Sequence, residues 1–244
     1  MIGVILAAGR GTRMGSLTAQ VPKPLLLVRG CAIIEHILRG FRAAGVRDVV
    51  IVTGYRGEQI MAHLGDGSRL GLRHTYRRQV EPTGTASALL LARDAIRTEP
   101  FVLSWGDILI QPAEYAAAVA AFHAAPCDAL LAVNAVDDPW RGAAVYVNDA
   151  WRVVRLVEKP PVGTSTTPWN NAGLFVLSPA ILAYAERTVA SPRGEHELPQ
   201  AIGAMIGDGR VVRAYALQGF WSDVGTPDDL AAAERSFPGP AAGA

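Results

Sequence analysis

"IGVILAAGRGTRMGSLTAQVPKPLL", residues 2–26, places an apolar strand directly before a loop with glycines at positions 9, 11 and 15. The loop ends in a lysine between two prolines. In α/β proteins, backbone N–H groups of a glycine-rich loop after a strand can point at an anion without an intervening side chain. The stretch therefore predicts a phosphate-binding loop at the carboxyl end of the first strand.

The rest of the chain alternates short β-rich runs with helical stretches, beginning with DVVIV at 48–52 and LRHTY at 72–76. Such alternation favours βαβ units and a mostly parallel sheet. Gly45 and Gly71 stand where helices are expected to end. We expect an α/β fold, a Rossmann-like three-layer sandwich with a mixed, mostly parallel central sheet. Helices are expected near residues 31–45, 57–64, 84–96, 112–124, 196–206 and 226–236.

Composition narrows the class of protein. The 244 residues carry a net charge of +1, so no global field attracts nucleic acid or an anionic membrane. No apolar run approaches the roughly 18 residues that a bilayer span needs. The strand directly after Met1 leaves no room for a signal peptide, and Cys31 and Cys127 are expected to be buried, reduced thiols. We therefore expect a soluble cytoplasmic protein with a disordered tail at 238–244.

Three phosphate-binding patterns compete for the opening loop. A Walker loop needs a lysine followed by Ser or Thr after its last glycine, and none stands there. A dinucleotide fingerprint has Met14 in place of its third glycine. A triphosphate site also accounts for the charges, because Arg13 offers a planar fork of donors and Lys23 a compact charge held by Pro22 and Pro24. The structural alternative is a glycine turn with charges facing solvent.

LAAGRGTRM at 6–14, followed by PKPLL at 22–26, resembles the signature of the sugar-1-phosphate nucleotidyltransferases. Ser16 stands where that signature usually has a proline. The resemblance implies the nucleotide-diphospho-sugar transferase fold in one domain, residues 1–237, with a nucleotide-binding part at about 1–110 and a sugar-binding part at about 111–237. It assigns to the nucleotide the loop residues Leu6, Ala7, Ala8, Gly9, Gly11 and Thr12.

Two later segments extend the resemblance to the nucleotide and a metal. The strand end and P-x-G turn at 79–85 are similar to the segment that binds the base, which implies base contacts from Gln79, Gly84 and Thr85. VLSWGDILI at 102–110 resembles the strand and Gly-Asp pair that bind the catalytic metal, so Asp107 is the expected ligand. An acidic residue just past a parallel strand is also where open α/β sheets place ligands. The alternatives are an exposed Gln79 and an Asp107 that caps a turn.

The second half of the chain matches the sugar-binding motifs. LVEKP at 156–160 implies that Glu158 contacts sugar hydroxyls and Lys159 the sugar phosphate, and the N-x-G strand implies contacts from Asn171 and Gly173. WSDVGTP at 221–227 implies a second metal-binding aspartate, Asp223. The segment that usually offers a Tyr-Gly pair to the sugar has Arg141 and Gly142 here, which leaves plain glucose in doubt as the sugar.

The implied chemistry needs no protein base, because the attacking phosphate oxygen has a second pKa of about 6. The reaction needs alignment and charge neutralisation. We assign Arg13 to the triphosphate and leaving pyrophosphate, Lys23 to the α-phosphate and attacking phosphate, and Lys159 to the sugar phosphate. Asp107 and Asp223 are expected to hold Mg²⁺.

Other functions stay open at this stage. One is a catalytically silent relative that binds nucleotide or sugar and regulates a partner, although such a relative would have lost part of the charged set. Another is a transferase for phosphocholine, against which the sequence shows no obvious aromatic cage. A dehydrogenase is the third alternative, and it requires that the loop bind a dinucleotide although Met14 replaces the third glycine of the fingerprint. Homo-oligomers are common in the family, and the base, the sugar and the oligomer size are not fixed by the sequence.

Overall fold

The computed structural model describes residues 1–239, so most of the tail expected at 238–244 lies outside the described residues. Within the described part the chain forms thirteen strands and seven α-helices. The strands are β1 Gly3–Ala7, β2 Leu27–Val28, β3 Cys31–Ala32, β4 Asp48–Thr53, β5 Arg73–Arg78, β6 Phe101–Trp105, β7 Ile108–Ile110, β8 Ala129–Ala135, β9 Ala143–Val147, β10 Val153–Glu158, β11 Trp169–Leu177, β12 Val212–Ala216 and β13 Trp221–Asp223. The helices are α1 Ile33–Ala43, α2 Gly57–Leu64, α3 Thr85–Leu90, α4 Pro112–Ala124, α5 Ile181–Glu186, α6 Leu198–Gly207 and α7 Pro227–Ser236.

Nine strands form the central sheet, with β10, β9, β11, β6, β1, β4 and β5 in that spatial order. Strands β6, β1, β4 and β5 run parallel to one another, and β12 runs parallel to β8. Antiparallel pairing enters with β11, which lies beside both β6 and β8. The expected mixed, mostly parallel sheet is therefore confirmed, and β1 lies near its middle with its carboxyl end on the same edge as those of β4 and β6.

Both faces of the sheet are covered, which makes the fold a three-layer sandwich. Alternate residues of β1 point to opposite faces, so that Ile5 packs in one buried cluster and Val4 in the other. Helices α1, α2 and α4 supply the first cluster, and α3, α5 and α6 supply the second. This sheet is continuous through both parts of the chain, and the division near residue 110 stays a prediction.

Local signals explain most helix ends. Gly45 adopts a φ of 81° just after α1, and Thr226 caps α7 by accepting a hydrogen bond from the Asp229 N–H. The helix expected at 84–96 is shorter, because α3 ends at Leu90 and a separate 3₁₀ turn follows. Cys31 and Cys127 are free but half-buried, so their expected full burial is wrong. Among residues 1–239, no helix is long and apolar enough to cross a membrane.

Candidate active site

Two adjoining cavities open at the carboxyl edge of the parallel strands. The smaller, of about 180 Å³, is lined by the opening loop, including Gly9 and Gly11, and by Lys23. The larger, of about 720 Å³, extends from Gln79 at the end of β5 to Lys159 beyond β10. Arg13 and Asp107 line both cavities, so they stand where the two meet.

Close backbone approach explains two glycines in this region. Gly11 adopts a φ of 64°, and a Cβ there would lie 3.2 Å from the Cβ of Lys23. A Cβ on Gly106 would lie 2.9 Å from the Cα of Ala7, because paired strands β1 and β6 end side by side. The next residue, Asp107, therefore lines the smaller cavity together with the opening loop.

Lys23 is a buried cation shared by two carboxylates. It lies in a 3₁₀ turn, Lys23–Leu25, in which the Leu25 N–H donates to the Pro22 carbonyl at 2.9 Å. Its Nζ donates to Asp107 Oδ2 at 2.7 Å and lies 3.6 Å from Asp223 Oδ1. Burial and the nearby charge of Asp107 raise the pKa of Asp223 to about 6, against the opposing effect of Lys23 and Arg13.

The two aspartates meet because β7 pairs antiparallel with β13, which places Asp223 opposite Ile108. The Val224 N–H also donates to the Asp107 carbonyl at 3.0 Å. Mg²⁺ in phosphate-transfer sites is commonly held by one or two carboxylates together with substrate oxygens. Within the described residues no third His, Cys, Asp or Glu completes a metal cluster with them. Two carboxylates at a cavity edge are a donor set that fits Mg²⁺ sharing substrate oxygens.

The wall of the larger cavity formed by Gln79, Gly84 and Thr85 contacts the loop before α6. Gln79 Nε2 donates to the Gly84 carbonyl at 3.0 Å. Gly84 has a φ of 111°, and a Cβ there would lie 2.3 Å from the His196 carbonyl oxygen. The His196 N–H donates to the Thr83 carbonyl at 2.8 Å, and Thr85 Oγ1 accepts the Leu198 N–H at 2.8 Å. The Thr85 hydroxyl oxygen is therefore already engaged by the protein.

The wall of the larger cavity around Glu158 contains an ionic cluster in which Arg193 and Glu197 were not predicted. Arg193 forms an ion pair with the buried Glu197 and lies 3.5 Å from Glu158. Burial and the charge of Glu197 raise the pKa of Glu158 to about 7, although Lys159 and Arg193 oppose this effect. The Lys159 N–H donates to the Gly142 carbonyl at 2.7 Å. Arg193 and Glu197 precede α6, so their spacing of four is not a helical pair and gave no sequence signal.

Asn171 presents an unused amide donor. Its Oδ1 accepts the Gly173 N–H at 3.1 Å, whereas no partner among residues 1–239 meets its buried Nδ2. Gly173, an expected sugar contact, does not line either cavity. It packs against the Trp105 ring instead. Its φ is 79°, and a Cβ there would lie 2.5 Å from the Trp105 ring.

All the other predicted site residues line one or both cavities. On the larger cavity lie Leu6, Ala8, Gly9, Arg13, Gln79, Gly84, Thr85, Asp107, Gly142, Glu158, Lys159, Asn171 and Asp223. On the smaller cavity lie Ala7, Gly11, Thr12 and Lys23. The larger wall also includes three aromatic side chains, Trp105, Trp140 and Trp221. The absence of an obvious aromatic cage for a quaternary amine stays a prediction.

Known proteins are similar to this chain over nearly its whole length. The family model described as nucleotidyl transferase matches residues 2–238. A UTP–glucose-1-phosphate uridylyltransferase of Haloferax volcanii is 34% identical over 239 residues, which is 96% of each chain. A glucose-1-phosphate thymidylyltransferase of Streptomyces griseus is 34% identical, and the match covers 96% of this chain but only 65% of that one. A low-salt glycan biosynthesis nucleotidyltransferase of Haloferax volcanii, 32% identical, is likewise matched over 65% of its length.

A solved structure has the same fold. A candidate glucose-1-phosphate thymidylyltransferase from Bacillus anthracis superposes with a TM-score of 0.87, covering 96% of this chain and 94% of that one, at 26% identity.

Proposed function

Because this chain belongs to the nucleotidyl transferase family, we propose that it transfers a nucleotidyl group from a nucleoside triphosphate to a sugar 1-phosphate and releases pyrophosphate. The observation that carries this proposal is the position of Lys23. Its buried ammonium lines the smaller cavity and lies between Asp107 and Asp223, which both line the larger cavity of about 720 Å³. A buried cation held between carboxylates at the edge of a large cavity suits a reaction between two anions.

Three cationic side chains would bind different phosphate groups of the two substrates. Arg13, on the wall shared by both cavities, neutralises the triphosphate and the leaving pyrophosphate. Lys23 draws the α-phosphate and the attacking phosphate together, which supplies alignment and lowers their mutual repulsion. Lys159 holds the sugar phosphate. No side chain needs to remove a proton, because the attacking oxygen is largely ionised at pH 7.

The remaining polar groups orient the substrates. Asn171 Nδ2 has no protein partner in the described residues and is free to donate to a sugar hydroxyl. Glu158, also on the wall, accepts from sugar hydroxyls in its ionised form. Asp107 and Asp223 would hold Mg²⁺, which when bound neutralises phosphate charge and helps the pyrophosphate to leave.

The test is pyrophosphate release with Mg²⁺, with each of five nucleoside triphosphates run against the 1-phosphates of glucose, mannose, galactose, N-acetylglucosamine and N-acetylmuramate. A phosphocholine arm tests the non-sugar alternative, since three tryptophans line the cavity. We expect release that needs both substrates and stops with EDTA. Asp107→Asn should abolish it, whereas Asp208→Asn, an exposed carboxylate paired with Arg187, should not. Triphosphate binding without release from any pair would contradict the proposal and favour a regulatory relative.

A further inference from the structure

The turn that follows β4 contacts both ends of the opening loop. We call residues 54–59, which comprise this turn and the first three residues of α2, the clamp turn. A Cβ on Gly54 would lie 2.5 Å from the Ala8 carbonyl oxygen, and the Tyr55 N–H donates to that oxygen at 3.4 Å. The clamp turn therefore packs against the residue at which the opening loop begins.

Side chains of the clamp turn reach the other end of the same loop. Tyr55 Oη donates to the Ala19 carbonyl at 3.2 Å, with the Thr18 carbonyl at 3.3 Å. Arg56 Nη2 donates to the Ala19 carbonyl at 2.9 Å, and its Nε donates to Tyr55 Oη at 2.9 Å. Gln59 Nε2 donates to the Gln20 carbonyl at 2.9 Å. The consecutive carbonyls of Ala19 and Gln20 thus accept hydrogen bonds from three side chains of one short segment.

Other anchors hold the loop at Met14, which is buried in the first cluster, and at Lys23, which pairs with Asp107. Between Gly15 and Val21, however, only Thr18 is buried. The Thr18 hydroxyl donates to the Gly11 carbonyl at 2.9 Å, which closes the loop on itself but does not attach it to the sheet. An exposed segment of this kind has access to many conformations unless other contacts restrict it.

Arg56 adopts an unusual backbone conformation to make its contact. Its φ is 52° and its ψ is 33°, in the left-handed region that non-glycine residues rarely occupy. Strained conformations of this kind persist where the surrounding structure over-determines them, and they cluster at functional sites. Here the strain coincides with a side chain that holds the loop carrying Arg13.

We propose that Tyr55, Arg56 and Gln59 are positioning residues that keep the opening loop in its triphosphate-binding conformation. The proposal rests on the proposed function. When the competent conformation becomes a smaller fraction of the population, apparent affinity falls by that fraction. The loss should be confined to the nucleoside triphosphate, because Glu158, Lys159 and Asn171 lie on the sugar side of the cavity.

The test compares the double variant Arg56→Ala, Gln59→Ala with wild type. We expect KM for the nucleoside triphosphate to rise about fivefold to tenfold, and KM for the sugar 1-phosphate to stay within about twofold. Arg56→Lys in place of Arg56→Ala should restore part of the affinity for the nucleoside triphosphate. Arg47→Ala is the matched control, because the Arg47 guanidinium also donates to backbone carbonyls but precedes β4, at the opposite end of that strand. An unchanged KM for the triphosphate, or an equal rise in the control, would overturn the proposal.

Hydrogen exchange without substrates separates this proposal from the proposed function. In the double variant, amides of residues 16–21 should exchange severalfold faster than in wild type, while those of the sheet stay unchanged. Equal exchange rates would overturn the clamp even if the enzyme is active. Faster exchange in a protein that releases no pyrophosphate with any substrate pair would support the clamp and contradict only the proposed function.

Discussion

Lys23 and Asp107 form an ion pair of 2.7 Å although 84 residues separate them in the sequence. The lysine side chain is only 7% exposed, and a buried ammonium is tolerated because carboxylates neutralise it. The same pair joins the opening loop to the end of β6. Removal of either partner therefore changes both the charge of the site and the attachment of the loop.

Asp107→Asn should lower kcat by about 100-fold or more, because it removes a metal ligand and charge opposite the reacting phosphates. Stability should fall by only about 1 kcal/mol, since the amide oxygen still accepts from Lys23 and Asp223 remains 3.6 Å away. Steady-state kinetics and urea unfolding measure the two effects. Near-normal turnover would remove Asp107 from the metal site.

Glu158→Gln should change how stability depends on pH. Burial raises the pKa of Glu158 from 4.5 to about 7, so the folded state binds a proton more tightly than the unfolded state. The associated stability is present below about pH 4.5 and is lost as pH rises through 7, up to about 3 kcal/mol. The free energy of unfolding of the variant minus that of wild type should therefore be larger at pH 8 than at pH 5.

Thermal unfolding at pH 5, 6, 7 and 8 checks this prediction. Glu99→Gln, an exposed carboxylate outside both cavities, controls for the loss of one charge. A wild-type Tm that moves in parallel with that of Glu158→Gln across this range would contradict the raised pKa.

Asn171→Ala should raise KM for the sugar 1-phosphate about tenfold, because it deletes the unpaired amide donor on the cavity wall. KM for the triphosphate should remain within about twofold. Asn148→Ala is the matched control, since its Oδ1 also accepts backbone N–H groups, but in an exposed turn. Equal effects of the two substitutions would indicate a structural role alone.

Gly173→Ala should destabilise the protein by about 2–4 kcal/mol, through its positive φ and the clash with Trp105. Gly203→Ala should instead stabilise it by about 0.4–1 kcal/mol, because Gly203 lies in α6 with open space where the Cβ would stand. Urea unfolding of both variants measures the difference. Little destabilisation at Gly173 would mean that β11 can change its backbone at this point.

Much of the fold could be predicted from the sequence because its signals are local. The continuous apolar run of β1 and the Thr-Pro start of α7 each depend on a few neighbouring residues. The path of the sheet after residue 110 depends on long-range pairing instead. The placement of β11 between β6 and β8 has no counterpart in the pattern of any one strand.

The candidate site could be predicted in part for the same reason. Residues in compact motifs, such as Lys23, Asp107 and Asp223, come together as expected. Arg193 and Glu197 were missed because they lie near a helix start without a recognised motif. The packing of Gly173 against the Trp105 ring, 68 positions earlier in the chain, has no signal in the neighbouring sequence.

The contact between Gly84 and His196 limits how the protein can be re-engineered. The turn beside the base and the loop that carries Arg193 share three hydrogen bonds and a separation too small for a Cβ. A new turn grafted to change the preferred nucleotide would displace the loop beside the sugar, and the reverse graft would disturb the nucleotide. The turn at Gly84 and the loop at His196 therefore cannot be exchanged independently of each other. Variant libraries that alter one of these two segments need to vary the other at the same time.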